Sequence, residues 1–186
     1  SLGRAAIRTV GDLVYAVLTN NAAMSDAVAL FHATHGNLDT GALDVDGVAT
    51  ARKMMRLQKD GGGQSLNIEP AFLLVPAALE AQAYKTLRST SVEGGSNSGV
   101  ANPVSGAAEI IVEPRLDGHN VDNWYMLAGA GTDTVEVAYL GGQDQPYLEQ
   151  QEGWSVDGVS FKVRIDAGVA PLSWRGMTKS TGGMPE

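Results

Sequence analysis

Residues 66–88 read LNIEPAFLLVPAALEAQAYKTLR, and this stretch decides the fold class of the chain. The continuous apolar run from Phe72 to Val75 is typical of a strand that is covered on both faces. Pro76 follows where the first residue of a helix would stand, and residues 77–88 are strong helix formers. The stretch therefore predicts a strand followed at once by a helix.

The segments before this unit are predicted to be helical. Apolar residues recur at helical spacing between residues 5 and 18, which predicts a first helix. A second, short helix is expected over residues 25–32. Beyond a turn-rich segment, Asp44 or Asp46 offers an N-cap for a helix that continues to Lys59 and ends at three consecutive glycines.

The second half of the chain is predicted to be rich in strands. Residues 89–106 are rich in Ser, Gly and Asn, so they predict a long exposed loop that a neighbouring subunit could order. The last twelve residues are expected to form a loose tail. Four segments with β-branched or aromatic residues between turn signals predict strands: 109–114, 123–128, 134–140 and 156–165. The fold class is therefore α+β, with helices first and a mainly antiparallel set of strands after them.

Composition and charge limit the kinds of function. The chain has 186 residues, no cysteine and a net charge of -8. The lack of cysteine excludes a disulfide framework, a thiolate zinc site and a cysteine nucleophile. The one cationic cluster in the sequence consists of Arg52, Lys53, Arg56 and Lys59 on a predicted helix, where a solvated face is expected. Specific nucleic-acid recognition is therefore not expected, and no apolar run approaches the roughly 20 residues that span a bilayer.

Two groups of side chains could suggest a metal site. His32 and His35 form an H-x-x-H pair, but the zincin motif needs i, i+4 spacing and a glutamate beside the first histidine. Asp39, Asp44 and Asp46 lie close together in sequence, but their spacing is not that of an EF-hand. Helix capping explains the last two aspartates more simply. We therefore assign no metal ligand and expect the histidines to be structural.

The glycine-rich segments do not match a cofactor-binding or catalytic motif. Gly129 and Gly131 precede a predicted strand, whereas a dinucleotide fingerprint leads into a helix. The glycines at 61–63 are not followed by the lysine of a phosphate-binding loop, and no G-x-S-x-G elbow occurs. The sequence thus indicates no catalytic or cofactor-binding residue, and the protein is not expected to be an enzyme.

Several segments, in order, resemble the major capsid (major head) proteins of tailed phages and prophages. The clearest are LFHATHGNL at residues 30–38, LNIEPAFLLVPAALE at residues 66–80 and EIIVEPRL at residues 109–116. Further matching segments lie at residues 124–125, 137–140 and 174–176. The resemblance is greatest to Mu-like major head subunits and to fusions of a prohead protease with a major capsid protein.

The resemblance implies the Hong Kong 97-type capsid fold. By position, residues 1–43 would supply the spine helix and a connection of the peripheral domain. Residues 44–149 would form the axial domain, and residues 150–186 would return to the peripheral β-region and end in a tail. Such subunits carry an N-terminal arm and an extended loop ahead of the spine helix, so we expect an upstream segment.

The resemblance also implies a structural function. The chain would self-associate into pentameric and hexameric capsomers of an icosahedral head, with a transient scaffold or prohead protease as a further partner. It would be assembled in the bacterial host cytoplasm and end in the virion capsid. No cofactor and no membrane partner are implied. By position, we expect the interface between copies around residues 89–106 and the basic helix.

Two other functions remain as alternatives. A hydrolase or protease linked to prohead maturation would need serine and histidine side chains to converge. A small-ligand binding domain could use Trp124, Tyr125, Trp154 and Trp174 as stacking surfaces. Aromatic residues in predicted strands more often belong to the core, which favours the structural interpretation.

Overall fold

The computed structural model describes residues 2–91, 99–152 and 159–183. It is a mixed α+β structure, as predicted. Its helices and strands, in chain order, are α1 Leu2–Asn20, β1 Leu38–Asp39, α2 Val45–Arg56, β2 Pro70–Val75, α3 Glu80–Arg88, β3 Glu109–Val112, β4 Trp124–Ala128, β5 Val135–Tyr139, β6 Tyr147–Glu152, β7 Val159–Arg164, β8 Ala167–Pro171 and β9 Met177–Ser180.

The chain divides into two compact units. The small unit consists of Ser1–Asn20 and Val135–Ala170, and the large unit consists of Asn21–Thr134 and Pro171–Glu186. The boundaries between the two units differ from those of the expected domains 1–43, 44–149 and 150–186. The assignment of peripheral and axial roles to parts of the chain stays a prediction.

The large unit is built on a five-stranded sheet in the order β1-β9-β4-β2-β3. Helix α2 contacts β9, and α3 contacts β2 and β3. Two of its four strand pairs, β2–β4 and β4–β9, are antiparallel, and the outer pairs β1–β9 and β2–β3 are parallel. This sheet is therefore mixed, whereas the sequence predicts a mainly antiparallel set of strands. The core lies between the sheet and these helices, and its largest members are Met55, Leu73, Leu87, Trp124 and Met126.

The small unit contains α1 and two strand pairs. Strands β6 and β7 form an antiparallel two-stranded sheet. Strands β5 and β8 form another, and the amide of Leu140 donates to the carbonyl of Asp166 just beyond it, at 3.0 Å. Helix α1 contacts β5 and β7. The first helix is thus confirmed, and it covers the predicted residues 5–18.

Helix α2 begins where the sequence predicts a cap. The side chain of Asp44 accepts a hydrogen bond of 2.8 Å from the amide of Gly47, which satisfies one of the free amides of the first turn. A Cβ atom at Gly47 would lie 2.1 Å from the carbonyl oxygen of Ala42, so glycine alone fits there. The helix ends at Arg56, three residues before the expected Lys59.

The predicted strand–helix unit is confirmed. Strand β2 holds three consecutive buried residues, Leu73, Leu74 and Val75, as expected for a strand covered on both faces. A single 3₁₀ turn, Ala77–Leu79, follows Pro76 and leads into α3.

The short helix predicted over residues 25–32 is wrong. Ala23 and Ala29 form an isolated antiparallel bridge around a turn in which Ala27 has a φ of 64°. The side chain of Asn21 donates to the carbonyl of Phe31 and accepts from its amide, at 3.1 and 2.7 Å. The side chain of Asn21 thus satisfies both backbone groups of Phe31 outside a helix.

The loose tail predicted for the last twelve residues is wrong for residues 176–181, which are buried, and residues 184–186 lie outside the described residues. Strand β9 lies between β1 and β4, and all four of its residues are buried. Three of them, Thr178, Lys179 and Ser180, are polar. Because these residues are polar, no hydrophobic pattern in the sequence predicts that they are buried. The nearby glycines instead favour the prediction of a tail.

The predicted loop at 89–106 is only partly exposed, and residues 92–98 lie outside the described residues. Ser91 and Ala101 form an isolated bridge, and Val104 is buried in the core. The side chain of Asn102 donates to the carbonyls of Thr86 and Ser89, at 2.7 and 3.0 Å. Residues 102–104 are therefore fixed to the end of α3, contrary to the expected exposure.

Candidate functional site

Two segments that carry the family resemblance are neighbours in the large unit. Strands β2 and β3 are parallel, with Leu73 opposite Ile110. The carboxylate of Asp117, beyond β3, accepts hydrogen bonds from the amides of Ala77 at 2.7 Å and Ala78 at 2.9 Å. A carboxylate at this position satisfies free amides where the helical segment after β2 begins. Asp117 thus fixes the direction in which the chain leaves the sheet.

A stack of side chains lies where the chain re-enters the large unit after β8. The rings of His35 and Trp174 are stacked, with centroids 4.1 Å apart and planes 7° apart. The guanidinium carbon of Arg175 lies 4.3 Å from the centroid of the Trp174 ring, which is a cation–π distance. Arg175 also donates from Nε to the carbonyl of Lys59, at 2.6 Å. This stack holds residues 174–175 against the segment that contains His35.

Hydrogen bonds fix the ring of His35 on both of its nitrogens. Nδ1 lies 3.1 Å from the carbonyl oxygen of Leu30, and Nε2 lies 2.8 Å from a carboxylate oxygen of Asp26. Both partners are acceptors, so a ring nitrogen that carries a proton donates to its partner. The hydrogen bond from His35, followed by one from the amide of Val28, holds the pKa of Asp26 below its ordinary value. Asp26 is thus hydrogen-bonded to the same imidazole ring that stacks on Trp174.

The segment at residues 30–38 is held by amide side chains as well. The side chain of Asn37 donates to the carbonyl of Leu30 at 2.8 Å, and that of Gln58 donates to the carbonyl of His35 at 2.9 Å. Asn37 and Gln58 are both buried. Since buried polar groups are costly unless they are hydrogen-bonded, these contacts specify one conformation of the segment.

The H-x-x-H pair does not converge. Nδ1 of His32 accepts a hydrogen bond of 3.1 Å from the amide of Thr34 and so caps a single 3₁₀ turn, whereas His35 is buried in the stack. Of the three neighbouring aspartates, Asp44 caps α2 and Asp46 lies in its first turn. Within the described ranges, no three His, Asp or Glu side chains are grouped as a metal site would need.

The four aromatic residues considered for ligand stacking have different positions. Trp124 and Tyr125 are buried in the sheet, as expected for core residues. Trp174 is half-buried between its partners in the stack, and Trp154 lies outside the described residues. Two of the four rings are therefore inaccessible to a ligand.

The two segments expected to form an interface lie side by side in the large unit. Arg52 of α2 donates from Nη1 to the carbonyl of Pro103, at 3.3 Å. Together with Lys53, Leu57 and Val104, these residues line an open groove of about 390 Å³. The side chain of Leu57 is 61% exposed. The groove thus combines the cationic side chains of Arg52 and Lys53 with the exposed apolar side chain of Leu57.

The sequence alone does not reveal the two contacts that join distant segments, which are those of Asp117 with Ala77 and of His35 with Trp174. Asp117 precedes a glycine and is typical of a turn, and no local pattern indicates an amide partner 40 residues earlier. His35 and Trp174 were singled out separately, for other reasons. Their stacking joins residues far apart in the chain, which periodicity and spacing do not report.

The polar and aromatic side chains named above contact other parts of the same chain. A family model with the description "Phage capsid protein" matches residues 1–180. The chain therefore belongs to the phage capsid protein family, whose members are structural. No curated protein matches the chain.

Two solved structures are similar to this chain. A phage-related protein from Bordetella bronchiseptica RB50 is 12% identical, with a TM-score of 0.54 over 91% of this chain and 62% of that one. A virus-like particle from Pyrococcus furiosus is 17% identical, with a TM-score of 0.41 over 80% of this chain and 57% of that one. This chain thus spans less than two thirds of either. The first likeness supports the fold. Among the described residues, no helix is both long and apolar enough to cross a bilayer.

Proposed function

We propose that this chain is a structural subunit of the icosahedral head of a tailed phage or prophage, with the Hong Kong 97-type fold. The observation that carries the proposal is the family match, which extends over residues 1–180. The ordered resemblance to Mu-like major head subunits supports the same assignment. In this function the chain builds a shell in the virion from copies of itself and catalyses no reaction.

Within this proposal, α1 is the spine helix and the large unit supplies most of the axial domain. The expected domains 1–43, 44–149 and 150–186 remain part of the proposal, with the peripheral β-region after the axial segment. A transient scaffold or a prohead protease would act before the shell matures, in the bacterial host cytoplasm.

The groove between α2 and residues 103–104 is the proposed capsomer interface of the large unit. Its cationic side chains, Arg52 and Lys53, contrast with the acidic net charge of -8. Two copies of an acidic protein repel each other at long range, so a local basic surface can receive an acidic surface of the next copy. In a ring of identical subunits this contact is heterologous, because the two surfaces in contact differ.

Electron microscopy of the negatively stained full-length gene product tests the proposal. The protein is expressed with all of its native flanking residues and is viewed without fixation. Rings or closed shells are the expected result. A well-folded product that stays monomeric at high concentration contradicts the proposal.

A further inference from the structure

Strands β6 and β7 form a ribbon with one apolar face. In their antiparallel register, Leu148 lies opposite Val163 and Gln150 lies opposite Phe161. Because side chains alternate along a strand, Leu148, Phe161 and Val159 project from the same face. These three side chains are 58%, 54% and 48% exposed. The ribbon thus presents much of its apolar surface to solvent.

The opposite face of the ribbon carries charges. Glu149 lies opposite Lys162, and their side chains are 3.4 Å apart, from Oε2 to Nζ. These side chains are 49% and 68% exposed, so the pair adds little to stability. Because both side chains are exposed, each of them can also contact a charged side chain of another molecule.

The two strands of the ribbon have opposite charge. The sequence of β6, YLEQQE, contains two acidic residues and no basic one. The sequence of β7, VSFKVR, contains two basic residues and no acidic one. One edge of the ribbon is therefore acidic, and the other edge is basic in a chain whose net charge is -8.

Neither edge is covered by a third strand in the part of the chain that the structure describes. A two-stranded ribbon is marginally stable by itself, and an open edge presents backbone amides and carbonyls to any strand that can pair with it. The strand best matched to the basic edge of β7 is one with the sequence character of β6. Every other copy of this chain presents such a strand.

We propose that β6 of one copy pairs edge to edge with β7 of the next, so that ribbons from successive copies form a continuous sheet. Glu149 of one copy then lies beside Lys162 of the next, and the apolar faces of the ribbons align. The contact is head-to-tail, because the two edges differ in charge, and such contacts form a ring where the rotation between successive copies closes. This inference rests on the proposed function, and it names the surface of the small unit through which copies associate.

A charge-reversal experiment separates contacts between copies from the contact within one copy. In the Glu149→Lys variant, residues 149 and 162 are both lysine, so two lysines face each other at every junction between copies. In the Lys162→Glu variant, two glutamates face each other there. Each single variant is expected to assemble roughly fivefold more weakly than the wild type, given the strength of exposed charge pairs. In a 1:1 mixture of the two variants, every junction between unlike copies places opposite charges together, so assembly of the mixture is expected to recover.

The control variants address folding and overall charge. The double variant Glu149→Lys/Lys162→Glu restores the pair within each copy and between copies, so it is expected to assemble like the wild type. Asp133→Lys makes the same charge change as Glu149→Lys at an exposed position of the large unit. Both substitutions lower the net negative charge and so weaken the general repulsion between copies. If that repulsion alone mattered, both variants would assemble more strongly, whereas Glu149→Lys is expected to assemble more weakly.

Assembly of the full-length protein is measured as the sedimenting fraction across a concentration series. Recovery in the mixture supports the inference. It is overturned if both single variants assemble like the wild type. It is also overturned if the double variant assembles but the mixture does not, because the charge pair then acts only within one chain. A wild type that forms no assembly contradicts the proposed function itself, whereas shells that are indifferent to these substitutions contradict this inference alone.

Discussion

The carboxylate of Asp117 accepts a hydrogen bond of 2.7 Å from the amide of Ala77, a residue 40 positions earlier in the chain. This contact joins the segment that follows β3 to the start of the helical segment that follows β2. Both segments contribute to the family resemblance. The contact therefore gives a physical reason why these two sequence motifs occur together.

Substitution of Asp117 by alanine is expected to lower the free energy of unfolding by about 1 kcal/mol, because two amides at the start of a helical segment lose their acceptor. Equilibrium urea unfolding, followed by circular dichroism, measures the change. Asp133→Ala removes an exposed carboxylate elsewhere in the large unit and serves as the control. Equal stability of the two variants would show that the hydrogen bonds from Ala77 and Ala78 contribute nothing.

Substitution of Trp174 by alanine is expected to lower the free energy of unfolding by about 2–4 kcal/mol, because the His35 and Arg175 side chains lose the ring between them. Trp174→Phe keeps an aromatic ring at the same position and is expected to retain at least half of that stability. Thermal and urea unfolding of the three proteins give the comparison. If phenylalanine is no better than alanine, the stacking of His35 is not the source of the stability.

Acid is expected to weaken the contact between Asp26 and His35. The pKa of Asp26 is lower in the folded chain than in the unfolded chain, so this group stabilises the fold above its unfolded pKa of about 4. That stabilisation is lost as the pH falls through the lowered pKa of the folded state. Asp26→Asn removes the carboxylate, so the difference in stability between wild type and variant should shrink steadily below about pH 4. A difference that is constant between pH 6 and pH 3 would contradict the assignment.

Substitution of Leu57 by lysine tests the groove of the large unit. Leu57 is exposed in one copy, and the proposed capsomer contact would bury the rest of its side chain. The variant is expected to assemble about tenfold more weakly, since the lost burial is that of roughly half a leucine side chain. Val121→Lys is the matched control, because Val121 is an exposed apolar residue of the same unit. Equal assembly by both variants would exclude the groove from the interface.

The sequence predicts the elements that have local signals. Helix α2 has a capping aspartate, and the unit of β2 and α3 has an apolar run that ends at a proline. Each of these patterns depends on residues within one turn or one strand, so no knowledge of the rest of the fold is needed. The structure confirms both.

The elements that the sequence does not predict depend on distant partners. Strand β9 consists largely of polar residues, and its burial follows from its place between β1 and β4. The segment at 25–32 has helical spacing, but the side chain of Asn21 fixes Phe31 in another conformation. Likewise, Asn102 fixes part of a loop whose composition indicates exposure. In the last two cases a specific polar contact outweighs the local preference.

The place of β9 also sets the order in which the subunit can be made. The sheet of the large unit stays divided until residue 180 has left the ribosome, because β1 and β4 have no hydrogen-bonded contact without the strand between them. The segments that form the small unit are synthesised before that point. A chain synthesised only as far as β8 therefore lacks the strand that joins β1 to the rest of the large-unit sheet. The five-stranded sheet is thus completed only after β9 has been synthesised.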